Sequence, residues 1–163
     1  MKEKTVRDLA SGALAGFVAT VPMTVAMWVM HRQLPWAERY PLPPRRITGK
    51  LAAKAGVRQH LDEPEERGLT LAAHFGYGTA TGAIYGAIAD EVPAPRIVSG
   101  VLYGLGVWAV SYLGVLPALG ILRPATEHPA KRNALMIAAH VVWGASLGAA
   151  MDAAAARQKS WKN

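Results

Sequence analysis

The sequence has no cysteine. Disulfides, thiolate metal sites and a covalently attached c-type haem, which needs C-x-x-C-H, are therefore excluded. Charge is scarce, at 18% of residues against 52% hydrophobic, and it is unevenly spread. Four windows hold almost none: Leu9 to Met30, Leu69 to Ala89, Ile97 to Leu122 and Ala134 to Met151. Each is close to the ~20 residues that cross a bilayer core. No nucleophile motif, phosphate loop or usable carboxylate pair occurs, and Asp90, Glu91 and Asp152 stand at window ends where they reach water. The expectation is that the protein is not an enzyme. The windows also hold neither a carboxylate nor a third histidine beside the two described below, so no metal site is expected.

What is present points to an all-α integral membrane protein. The third window, 26 residues without a charged side chain, would be hard to keep in water as part of a soluble bundle. The second and fourth are rich in Ala, Gly, Thr and Ser, and the mean hydropathy is only +0.15, so these helices belong among neighbours more than in lipid. The expected fold is a four-helix bundle of spans 9–30, 69–89, 97–122 and 134–151 in one domain, 1–157, with a polar tail at 158–163. The apolar run after "MKEKTVRD" is too long for a signal peptide and lacks an A-x-A-like site, so it reads as a retained span. Pro22 and Pro117 inside spans are expected to kink them and free a carbonyl.

The first connection, 31–68, is long and polar, with a proline cluster and a helix expected at 47–61. Arg46, Lys50, Lys54 and Arg58 follow at four-residue steps and can meet anionic lipid phosphates, with Trp36 and Tyr40 in the interfacial belt. A plain solvated helix fits the same pattern. Because basic residues flank spans, lipid is the expected partner and nucleic acid is not.

The chain also repeats itself. "LAAHFGYGTATG" (71–82) aligns with "IAAHVVWGASLG" (137–148), and "SGALAG" (11–16) with "SGVLYG" (99–104). Two tandem helical hairpins follow, related by an axis along the membrane normal, with both termini on one face. Gly78, Gly82 and Gly86 continue the four-residue step from His74, and Gly144 and Gly148 that from His140. With Gly12, Gly16, Gly100 and Gly104 they form GxxxG stripes where helices approach closely, so both histidines point inward. Each lies on the order of 10 Å from the polar end at ~1.5 Å per residue. Tight packing is expected at the Ser-Gly end and a looser, wet region around the histidines.

"PLPPR" (41–45), "EVP" (91–93), "GVLYGLG" and "AAHVVW" resemble the YagU-like bacterial inner-membrane proteins over roughly residues 10–150. The resemblance implies an integral, multi-pass protein of the inner membrane and no particular chemistry. It favours cytoplasmic termini. The raw distribution, eleven Lys or Arg on the long-loop face against seven on the terminal face, leans the other way.

Three roles are open to the histidines. The leading expectation is packing, each imidazole bonding across a helix interface, for instance to a carbonyl freed by Pro22 or Pro117, in a scaffold or accessory subunit of a homo-oligomer or larger complex. The second is proton or solute handling at a wet cleft lined also by Thr20, Thr24, Thr79 and Thr81. In the third, His74 and His140 ligate a b-type haem, though no cofactor is the leading expectation.

Overall fold

In the computed structural model the backbone is described for residues 2–160 and the side chains for residues 5–157. Among these residues there is helix and no strand. Five helices carry the fold: α1 (Lys2–Gln33), α2 (Pro43–Lys54), α3 (Glu63–Ile88), α4 (Arg96–Ala118) and α5 (Ala130–Ser160). Residues 161–163 of the expected polar tail lie outside the described residues, and 158–160 continue α5.

Helix ends follow local signals. Asp62 caps α3 through a capping box, accepting from the Glu65 N–H at 2.8 Å while Glu65 accepts from the Asp62 N–H at 2.9 Å. This starts the helix at Glu63, six residues before the apolar window. The first-loop helix lies at Pro43–Lys54 rather than 47–61. Pro43 and Pro44 suit its first positions, where an N–H would be unsatisfied anyway. Gly56, at φ 71°, ends it in a Schellman turn, with Val57 N–H on the Ala52 carbonyl at 3.0 Å. Gly120, at φ 63°, closes α4 the same way. Pro117 does not break α4. The preceding Val110–Val115 widens into a π-helical segment, and the Leu116 N–H reaches back to the Ser111 carbonyl.

Among the described residues, three helices are long and apolar enough to cross a membrane: Thr5–Gln33, Arg96–Ala118 and Ala130–Arg157. That marks a membrane protein. α3, at 26 residues, is long enough, but its acidic first turn and its Gly, Ala and Thr keep it less apolar than the other three. Outer surfaces agree, since Val18, Val25 and Trp28 of α1 and Leu102 and Leu113 of α4 are exposed while Thr20 and Ser99 are buried.

The long helices pack in the order α3, α1, α5, α4. α1 meets α3, and α4 meets α5, through glycines that bring backbones into contact. A β-carbon on Gly82 would lie 2.5 Å from the Gly12 carbonyl oxygen and 2.6 Å from the Gly16 Cα. One on Gly104 would lie 2.5 Å from the His140 carbonyl oxygen. The aligned glycines share one pair of partners, Gly12 with Gly82 and Gly100 with Gly148, but their second partners differ. Gly12 also faces Gly86, whereas Gly100 also faces Gly144. The outer helices α3 and α4 scarcely touch and are joined mainly by tyrosines. Tyr85 hydroxyl lies 2.8 Å from Ser99 Oγ, Tyr103 donates to the Thr81 carbonyl at 2.8 Å, and Tyr77 hydroxyl lies 2.9 Å from Ser111 Oγ.

Candidate ligand cavity

Where α3 and α4 part, a cavity of about 290 Å³ opens between all four long helices, with α2 across one end. α2 turns Pro44, Ile47, Thr48 and Leu51 toward it, a spacing that puts them on one helical face. His74 and Tyr77 of α3, Ser111 and Tyr112 of the π-helical segment, and His140 and Trp143 of α5 complete its polar and aromatic wall. Among the described residues, no Asp, Glu, Lys or Arg lines it. The two histidines singled out by the repeat therefore share one chamber.

Their hydrogen bonds differ from the expected ones. His140 is 5% exposed and its Nδ1 lies 2.7 Å from the Met136 carbonyl of its own helix, so Nδ1–H donates and Nε2 is left with a lone pair. Its ring stands edge-on to Tyr112 at 5.9 Å. His74 Nε2 is buried with no hydrogen-bond partner among the described residues. Neither imidazole bonds across a helix interface, and neither takes a carbonyl freed by Pro22 or Pro117. Of the four threonines expected at the cleft, Thr20 and Thr81 line it. Thr24 and Thr79 are not among its lining residues, and all four hydroxyls donate to carbonyls of their own helices, Gly16, Thr20, Phe75 and Tyr77.

The basic residues assigned to lipid are largely occupied within the protein. Lys54 Nζ donates to the Leu119 carbonyl at 2.9 Å and Lys50 Nζ to the Gly120 carbonyl at 3.3 Å. They cap the C-terminal carbonyls of α4, where the helix dipole favours cations. Arg58 pairs with Glu66 at 3.3 Å, and Arg46 lies 5.7 Å from the Tyr40 ring. Arg45 reaches Glu63 at 2.5 Å and Glu66 at 3.5 Å. Hydrogen bonds from Arg45 and then Arg67 hold the Glu63 carboxyl below the ordinary carboxylate range. These contacts fasten α2 over the cavity as a roof.

Arg132 has a role that its charge pattern alone does not announce. It is 5% exposed and donates from Nη1 to the Glu38 and Tyr40 carbonyls at 2.6 and 3.0 Å, and from Nη2 to Pro41 at 3.1 Å, with its guanidinium 3.6 Å above the Tyr40 ring. It thus clamps the segment leading into α2 onto the start of α5. The available signal was its place four and eight residues before Met136 and His140, on one face. "PLPPR" gains a physical reading: Pro41 is held by Arg132, Pro43 and Pro44 start and line the roof, and Arg45 pins it to α3.

His74 and His140 are the groups able to ligate a cofactor. Among the described residues there is no group of three or more His, Cys, Asp or Glu able to hold a metal ion. No curated protein and no solved structure matches the chain. The family model described as "Protein of unknown function (DUF1440)" matches residues 36–149, taking in the roof, the Arg132 clamp and nearly all the cavity wall except that from α1.

Proposed function

The chain belongs to the DUF1440 family, and we propose that it is a non-enzymatic membrane protein that holds a small molecule in the cavity beneath α2. The observation that carries this reading is the pair of imidazoles facing one uncharged chamber, with His74 Nε2 buried and unpartnered. Buried polar atoms are nearly always satisfied, so an unpartnered one in a residue of the cavity wall marks a place where an occupant can supply the missing bond. The packing role is less well supported, because it needs bonds across interfaces that neither histidine makes.

In this reading all four long helices cross the membrane as a bundle of two tandem hairpins. The glycine contacts of α3 support it, since close backbone packing replaces the apolar surface α3 lacks. Both termini then share a face, and the likeness to YagU-like proteins favours the inner membrane with cytoplasmic termini.

Native mass spectrometry of the gently extracted protein tests the binding role. A mass in excess of the chain, lost when Val107→Trp fills the cavity, is the expected result, and a bare chain mass in the wild type sinks it. A b-type haem is the second reading, favoured by His140: an imidazole whose Nδ1–H is held by a carbonyl presents Nε2 as a ligand. A Soret band that disappears in His74→Ala and His140→Ala identifies it, and a featureless spectrum removes it.

A further inference from the structure

We infer that the ligand is a neutral amphiphile dissolved in the bilayer, with a hydroxyl head and an apolar tail, and that it enters sideways between α3 and α4. The inference rests on the cavity being a binding site and adds the class of ligand and its route.

The route follows from exposure. Val110 and Tyr77 line the cavity and yet are 63% and 53% exposed on the outer surface. Ala73 and Val115 are likewise both lining and exposed. The chamber is therefore open on the side where α3 and α4 part, facing the same surroundings as the exposed apolar residues of α4. The Tyr77–Ser111 contact is a crossbar at this opening. Beyond it, toward the termini, the Tyr103 and Tyr85 bonds hold the seam together, and α2 roofs the other end. The π-helical segment forms one jamb, its wider turn placing Ser111 and Tyr112 inside and Val110 and Val115 at the edge. Such segments are frequent at functional sites.

The ligand class follows from the wall. With no charged side chain among the described residues of the lining, a charged head would lose its hydration without a counter-charge. Most of the wall is aliphatic or aromatic, which suits a tail. The polar demand is specific: His140 Nε2 has a lone pair and requires a donor, while His74 Nε2 is free to donate in its Nε2–H tautomer. One hydroxyl both donates and accepts, and so answers both. A ketone or ester lacks the proton that His140 needs, and an alkane answers neither.

The test uses the full chain in phospholipid nanodiscs with a long-chain primary alcohol carrying a mid-chain diazirine. After irradiation, adducts are located by peptide mass spectrometry. The expected result is saturable labelling of residues 73–77 and 110–115, displaced by unlabelled hexadecanol and not by hexadecane. His140→Phe should weaken labelling about fivefold, as the loss of one hydrogen bond does. Ala73→Phe, at an exposed position on the opening, should block it and keeps the test readable if His140→Phe fails to fold. Labelling spread evenly along outward residues such as Val18 and Val25, or equal competition by alkane and alcohol, overturns the inference. If the native mass spectrum still shows a small molecule lost in Val107→Trp, the binding role survives and only the ligand class and route fall. A bare chain with no saturable label removes both.

Discussion

Gly82 sits between Gly12 and Gly16 with no room for a methyl group, whereas nothing lies within 4 Å of where a β-carbon on Gly106 would be. The two alanine substitutions should therefore separate. Gly82→Ala is expected to destabilise by about 1–3 kcal/mol, as overpacking does. Gly106→Ala should be neutral or mildly stabilising, since Ala is the better helix former. Thermal unfolding in detergent checks both. These glycines and the paired histidines were legible because a four-residue step is a local property of sequence. Arg132 was not, because its acceptors are backbone carbonyls more than ninety residues upstream, brought to it only by the folded loop. Arg132→Met should leave those carbonyls open and cost about 1–3 kcal/mol or more. Raised protease sensitivity at residues 34–42, before any change in the glycine-packed helices, is the expected sign.

At the scale of elements, the roof is the part whose position and purpose differ from the expectation. Its signals were present in sequence, Pro43-Pro44 at the start and Gly56 at the end, but the long alternation of basic residues suggested a helix running past the glycine to 61. The basic stripe read as a lipid-facing surface because its partners could not be seen. Leu119 and Gly120 offer carbonyls only because Gly120 terminates α4 there.

Two pH effects follow from groups around the roof. The Glu63 carboxyl is lowered in the fold, so its pairing with Arg45 contributes above the ordinary value of 4.5 and is lost as pH falls through the lower folded value. Amide exchange in α2 should rise below about pH 4, and Glu63→Gln should show the faster exchange already at neutral pH. High salt should weaken the same pairing, because it is exposed. His128 behaves differently. Burial, and then Arg46, push its imidazole below 6.5, so the unfolded chain takes up the proton first. Stability should be flat above about pH 6.5 and decline as pH falls below it, with His128→Asn reducing the slope.

For the whole molecule, the number of crossings decides the arrangement. Among the described residues, three apolar helices are clear from composition alone. The proposed fourth crossing, α3, rests on packing, and packing was visible in the sequence only as a glycine stripe. The account predicts that single cysteines introduced near residue 5 and near residue 157 react from the same side of the membrane, and one in the loop at 59 from the other. A chain without native cysteine makes that labelling unambiguous. Termini on opposite sides would mean that α3 does not cross.

The cavity is where the residues, the roof and the packing of the four helices meet. An experimental density map of the protein in a lipid nanodisc tests its role as a binding site most directly. The account predicts non-protein density against His74 and His140, continuing out past Tyr77 and Val110, with α2 in place above it. A chamber closed by its own side chains, with Tyr112 or Trp143 packed against both imidazoles and no such density, would contradict it.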